Sequence, residues 1–202
     1  MPLTTGTLKA AYAKIAAKMD MCASELNALD GKVGDGDLGI TMARGAREVM
    51  EQSNNLPEDL GMAFLKTAQA FTMISGSTFG TLIATGLMAA AKRTKGRTQA
   101  EWLELGALLE AAVTAMAARG KANLGDKTVL DALDAVRVAV TGLDDPQAQL
   151  AGASRAIDAT LAVFRDKPNK VGRARIFAGK TVGLDDPGMV ALRRVVDGLM
   201  GL

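Results

Sequence analysis

Apolar residues recur every three to four positions along nearly the whole chain, and that period predicts helices. The first run, about residues 7–28, places Leu8, Ala11, Tyr12, Ile15, Met19, Cys22, Leu26 and Leu29 on one face. A second helix is expected from near Gly39, with Ile40, Ala43 and Val49 turned inward. Pro57 opens a third, carrying Leu60, Phe64, Leu65, Ala68 and Phe71, since proline suits a first helical position. A fourth, about 77–93, is rich in small residues (Gly80, Ala84, Gly86, Ala89 to Ala91) that permit close packing. Thr98 and Glu101 have capping-box spacing for a fifth helix with Trp102, Leu105, Leu109, Val113 and Met116 on one face. Asp126 is expected to cap a sixth through Leu130, Leu133, Val136 and Val140. Pro146 begins a seventh with Leu150, Ile157, Leu161 and Phe164. Asp186-Pro187, an N-cap followed by a first-turn proline, launches an eighth with Val190, Leu192, Val195 and Leu199. No stretch reads as a strand, and no repeat or linker divides the chain. The expectation is one all-α domain, residues 1–202, of about eight helices.

Composition agrees with that reading. Hydrophobic residues make up 49% of the chain but aromatics only 3%, so the core must be Ala, Leu, Val and Met, a mixture that favours helix. A net charge of +2 gives no electrostatic case for nucleic acid or an anionic membrane. No apolar run reaches membrane-spanning length and the amino terminus lacks a signal pattern, so a cytoplasmic protein is expected. Cys22, the one cysteine, lies on an apolar helix face and reads as a small buried hydrophobe. The chain has no histidine, which excludes imidazole bases, Ser-His-Asp triads and His-containing zinc sites.

The most informative stretch is Asp30-Gly31-Lys32-Val33-Gly34-Asp35-Gly36-Asp37-Leu38-Gly39. Its glycines let the backbone turn tightly enough to aim Asp30, Asp35 and Asp37 at one point. Clustered carboxylates repel one another unless a cation lies among them, and an all-oxygen set suits a hard ion such as Mg2+ or Ca2+. An EF-hand fails, because counting from Asp35 its glycine and glutamate positions fall on Ile40 and Ala46. That leaves a magnesium site completed by water or phosphate oxygens, against a solvated acidic turn.

Four further stretches could carry chemistry. Ser75-Gly76-Ser77-Thr78-Phe79-Gly80-Thr81 leads into the fourth helix and reads as a phosphate-holding helix start or as a turn plus cap. Gly125-Asp126-Lys127-Thr128, with Gly120 upstream, imitates the end of a Walker A loop, but Asp126 intrudes and no strand precedes it; a helix start is the better reading. Val171 to Thr181 is an irregular basic segment, either a solvated loop or one that closes over phosphates. Arg175 is expected to lean away from whatever Arg173 faces. Asp186-Pro187-Gly188 is most simply a cap, with the Gly188 amide able to meet an anion.

Leu29-Asp30-(x4)-Asp35-Gly36-Asp37-x-Gly39, Ser75-Gly76-(x2)-Phe79-Gly80-Thr81, Arg119-Gly120-Lys121-Ala122, Gly125-Asp126-Lys127-Thr128, Gly172-Arg173-Ala174 and Asp186-Pro187-Gly188, in this order, resemble the nucleotide-binding L subunit of dihydroxyacetone kinases. The resemblance spans nearly the whole chain. It implies an antiparallel, barrel-like bundle of eight helices with nucleotide at one end. It also implies two Mg2+ ions on Asp30, Asp35 and Asp37 that bridge the phosphates of ATP or ADP. Leu38, Gly39, Ile40, Thr41, Ser75, Gly76, Gly120, Val129, Arg173, Asp186, Pro187 and Gly188 fall on the positions around phosphates, ribose and base. Arg173 falls on the charge-stabilising catalytic position. The family's ketose-binding histidine belongs to a separate K subunit, which fits the lack of histidine here and implies a hetero-oligomer.

Some positions depart from that pattern. Thr72-Met73 stand where many relatives have a Gly-Gly pair, which stiffens the approach to Ser75. Leu38 and Thr41 replace the His and Asn typical of relatives fed by the phosphoenolpyruvate phosphotransferase pathway, so ATP used as an ordinary substrate is expected. The alternatives are an ADP-holding subunit of that pathway and a non-catalytic nucleotide-sensing module.

Overall fold

The computed structural model describes residues 2–74 and 76–201, with the backbone alone at Ala178. Among the described residues, eight α-helices account for most of the structure: α1 Thr5–Asp30, α2 Leu38–Gln52, α3 Leu60–Ile74, α4 Thr78–Thr94, α5 Leu105–Gly120, α6 Val129–Val140, α7 Pro146–Arg165 and α8 Pro187–Met200. Each packs against the next, and α8 returns to α1, so the antiparallel bundle closes into a ring. The chain is all-α, as expected.

Helix faces follow the apolar period. Leu8, Tyr12, Met19, Cys22 and Leu26 of α1 are buried, as are Leu60, Phe64 and Phe71 of α3. The small residues of α4 do allow close approach: a Cβ on Gly86 would lie 2.9 Å from the Met116 sulfur of α5. With so few aromatics to span its inside, the ring retains an apolar cavity of about 330 Å³, lined by residues such as Ile15, Phe64, Leu108 and Leu192. Tyr12 and Thr67 share a buried hydroxyl–hydroxyl bond of 2.9 Å in its wall. Burial there pushes the Tyr12 phenol up to about 12.

Several helix starts differ from expectation. Thr98 does not cap α5: residues Gln99–Ala100 (β2) pair antiparallel with Leu3–Thr4 (β1), an unexpected two-residue ladder. The chain then turns through a 3-10 segment, Trp102–Glu104, whose capping box is Glu101 with Glu104. Asp126 does not cap α6; Thr128 does, in a capping box with Asp131. α3 begins at Leu60 rather than Pro57, with Asp59 Oδ1 accepting the Met62 amide at 2.9 Å. Ile40, expected inward, is 44% exposed, because the first turn of α2 faces a cleft rather than the core. No described helix is long and apolar enough to cross a membrane.

Candidate functional site

Asp30 is the last residue of α1, and the turn to α2 folds back around its side chain. Its Oδ2 accepts the amides of Gly36 (2.8 Å) and Asp37 (3.1 Å). Gly36 has φ +77°, a left-handed conformation that glycine adopts without steric cost. Gly34 makes room for the other carboxylate oxygen: a Cβ there would lie 2.4 Å from Asp30 Oδ1. Asp35 and Asp37 are exposed, and each of the three residues offers a carboxylate oxygen within 4.8 Å of the others. Uncompensated charges so close repel by about 1 kcal/mol per pair in water and several times that where partly buried. Oxygen donors, convergence and a glycine-cleared cradle fit a hard divalent cation.

Asp37 occupies the N-cap position of α2, yet its side chain makes no capping bond. Asn27 of α1 does that task instead, its Oδ1 accepting the Ile40 amide at 3.1 Å. The Asp37 carboxylate is thereby left available to the cluster. Gly39 allows this arrangement, since a Cβ there would lie 1.9 Å from the Ala23 carbonyl oxygen.

The acidic turn borders a cleft of about 910 Å³ at one end of the ring. Antiparallel alternation brings the starts of α2, α4, α6 and α8 to this end, so four helix amino termini face the cleft. Helix amino termini carry partial positive charge and unpaired amides, and they attract phosphate. Ser77, Thr128 and Asp186 cap the starts of α4, α6 and α8 through the amides of Gly80, Leu130 and Met189. Carboxylates suited to a cation thus face helix ends that favour an anion.

Most of the expected residues meet here. Asp30, Asp35, Asp37, Leu38, Ile40, Thr41, Gly76, Gly120, Val129, Arg173, Asp186, Pro187 and Gly188 all line the cleft. Gly39 is buried between α1 and α2 instead, so its role is steric. Ser75 lies outside the described residues. The basic segment is not extended: Arg173–Thr181 forms a 3-10 helix. Residues two apart share a side in an extended chain and are roughly 120° apart on such a helix, so in neither are they opposed. Arg175 therefore lines the cleft with Arg173 rather than turning away. Arg173 is ion-paired with Asp35, which joins the basic segment to the acidic turn.

Sequence reasoning missed Asn27, Arg44 and Asn169. Arg44, on α2 one turn past Thr41, lines the cleft and is exposed. Asn169 is buried and donates from Nδ2 to the Lys127 carbonyl (2.7 Å) and to Asp186 Oδ2 (2.8 Å). Burial pushes the Asp186 carboxyl up to about 6, against the opposing pull of the Met189 amide, Asn169 and Lys127. Lys127 is buried and donates to three backbone carbonyls, so it is no phosphate-binding Walker lysine. Burial lowers its pKa, and nearby Asp186, Asp185 and Asp166 oppose that.

A family model described as the DAK2 domain matches residues 32–201. Human triokinase/FMN cyclase is 30% identical over 182 residues, covering 87% of this chain but 31% of that protein. The PTS-dependent dihydroxyacetone kinase ADP-binding subunit DhaL of Lactococcus lactis is 32% identical, covering 81% of this chain and 79% of the subunit. The crystal structure of the C. freundii dihydroxyacetone kinase in complex with AMP-PNP and Mg2+ superposes with a TM-score of 0.73 at 27% identity, over 99% of this chain and 34% of that one. The chain thus spans about a third of the longer relatives and most of the subunit-sized ones. From the acidic turn to the end of α8, this chain belongs to the DAK2 domain family, the family of the dihydroxyacetone kinase L subunits.

Proposed function

We propose that this protein is the nucleotide-binding, phosphoryl-donor subunit of a two-component ketose kinase of the cytoplasm, with residues 1–202 forming one nucleotide-binding domain. The observation that carries this is the pairing of three convergent carboxylates with four helix amino termini around one cleft. A polyphosphate held through divalent cations satisfies both at once. Asp30, Asp35 and Asp37 would hold two Mg2+ ions. Bound there, Mg2+ would neutralise phosphate charge and polarise the phosphoryl oxygens.

The chain's own residues do the rest. The amino-terminal end of α2, Leu38 to Thr41, with Ser75 and Gly76 before α4, faces the phosphates; the Ile40 and Thr41 amides are already bonded to Asn27 Oδ1 and the Asp37 carbonyl, so α2 acts there through its dipole and the Thr41 hydroxyl. Gly120, Val129 and Asp186 to Gly188 surround ribose and base. Arg173 stabilises charge that develops on the β- and γ-phosphates, which makes it the catalytic residue. The acceptor hydroxyl belongs to a ketose on a K-type partner subunit, so turnover requires that partner.

ATP as an exchanging substrate is the favoured donor. Leu38 packs its side chain into the core at the start of α2 and Thr41 follows one turn later, so neither offers the His and Asn of phosphotransferase-fed relatives. The ADP-binding subunits among the relatives favour a second reading, in which resident ADP is rephosphorylated by a phosphotransferase protein. Reconstitution with a K-type subunit and dihydroxyacetone separates the two. Turnover with Mg-ATP alone, from protein purified with exchangeable nucleotide, is expected. Tightly retained ADP and an absolute need for phosphoenolpyruvate and its carrier proteins would establish the second. Mg-nucleotide binding without phosphoryl transfer to any ketose would leave a sensing module.

A further inference from the structure

Lys127 is 1% exposed and holds φ at +61°, a left-handed conformation that glycine would adopt without penalty and lysine adopts only under strain. A long cation in that position implies that its side chain is needed. Nζ donates to the carbonyl oxygens of Arg165 (3.1 Å), Lys167 (2.7 Å) and Thr181 (2.8 Å). Three protons meet three acceptors, so the amine is free neither as a nucleophile nor as a phosphate ligand.

Those acceptors lie in informative places. Arg165 ends α7, Lys167 follows it, and Thr181 ends the 3-10 helix that carries Arg173 and Arg175. Residues 168–180 are thus a strap whose two ends are drawn onto one ammonium. Neighbouring bonds tighten the same neck: the Asn169 amide donates to Thr181 Oγ1 (2.9 Å) and the Lys170 amide to the Asp126 carbonyl (3.0 Å). The Lys127 carbonyl accepts from Asn169, which also holds Asp186 at the start of α8. Beyond the neck, Arg173, Arg175, Ile176, Gly179 and Lys180 are exposed, so little buried apolar surface holds the strap.

We propose that Lys127 is a positioning residue, the pin that fixes where the strap stands over the cleft and hence where Arg173 meets the acidic turn. This rests on the proposed role of Arg173 at the polyphosphate. The pin also ties the strap to the α8 start, so the two walls of the cleft keep one register.

The test compares the wild type with Lys127→Met, with Lys127→Gly, and with Leu60→Ala as a destabilised control. Lys127→Gly keeps the left-handed backbone without strain, and the folding of each variant is checked by circular dichroism. Leu60 is buried at the start of α3, at the far end of the ring. Trypsin cleavage after Lys170, Arg173, Arg175 and Lys180 is followed by mass spectrometry, with and without Mg-ADP, and Mg-ADP affinity is measured by calorimetry. In the Lys127 variants, strap cleavage should rise by about tenfold or more, the effect of losing a single charge-assisted bond's worth of local stability. Cleavage elsewhere should stay as in wild type, and Mg-ADP should bind without protecting the strap. In Leu60→Ala, strap cleavage should change no more than cleavage elsewhere. Folded Lys127→Gly with wild-type strap cleavage and full protection overturns the proposal, as does a uniform rise like that of Leu60→Ala. Failure of wild type to bind Mg-ADP would overturn the nucleotide reading instead, while cleavage without nucleotide still decides the pin.

Discussion

Replacing Gly39 by alanine tests how the acidic cluster is assembled. The new Cβ would lie 1.9 Å from the Ala23 carbonyl oxygen, 2.7 Å from its carbonyl carbon and 2.8 Å from Asn27 Oδ1. The obstruction is main chain inside α1, so no side-chain rotation relieves it. α1 and α2 must separate by roughly an ångström, at the overpacking cost of about 1–3 kcal/mol. Better helix propensity offsets up to about 1 kcal/mol of this, less so in a first turn. Separation also breaks the Asn27 cap on Ile40, which costs about 1 kcal/mol. The net expectation is a loss of about 1–3 kcal/mol, or about 2–4 °C in Tm per kcal/mol for a chain of this size. Function should suffer more than stability, because Asp37 sits two residues before Gly39 and would move away from Asp30. Urea unfolding followed by circular dichroism, with calorimetric Mg-ADP titration, reads both effects. Gly76→Ala is the stability control, since nothing lies within 4 Å of its new Cβ. An unchanged unfolding midpoint together with wild-type affinity in Gly39→Ala would refute the close α1–α2 contact and the assembly argued from it.

Two further outcomes follow from the cleft. Asp186 binds its proton more tightly when folded (about 6) than when unfolded (3.8), so its contribution to stability is full below about pH 4 and is lost as pH rises through about 6. The stability of wild type relative to Asp186→Asn, from urea unfolding at pH 4 to 7, should therefore fall across that window by up to about 3 kcal/mol; a pH-independent difference would exclude the raised carboxyl. In the reconstituted kinase, Arg173→Ala should lower kcat by about 100-fold or more with a smaller change in ATP affinity, the range for losing one charge-stabilising donor. Arg175→Ala should lower it less, and turnover within a few-fold of wild type in both variants would make the strap mere surface.

The helices were legible because each buries one apolar face, and a period near 3.6 records that whatever the neighbours are. The acidic turn was legible because its carboxylates and glycines are adjacent in sequence. What failed depended on distant partners. Thr98 and Glu101 have the spacing of a capping box, but Gln99–Ala100 pair with Leu3–Thr4 and delay the helix. Asp126 precedes a helical pattern, yet the left-handed turn at Lys127 passes the cap to Thr128. Asn27 and Asn169 act across separations that no local pattern records, on Ile40, and on Lys127 and Asp186. Arg175 does not turn away from Arg173, because residues two apart are opposed neither in an extended chain nor in a 3-10 helix.

The central claim is that Asp30, Asp35 and Asp37 hold divalent cations through which a nucleotide is bound. Calorimetric titration of ADP into wild type and into Asp35→Asn and Asp37→Asn, with Mg2+ and with a chelator, tests it most directly. Wild type should bind only with Mg2+. Outer partners of metal sites are worth 10–100-fold in affinity, so loss of a direct ligand should weaken binding by about 100-fold or more. The unfolding midpoint of apo Asp37→Asn should equal or exceed that of wild type, because repulsion in the turn is relieved, whereas Asp35→Asn also gives up the exposed pair with Arg173. Wild-type affinity in either variant, or equal ADP binding by wild type in chelator, would contradict the account.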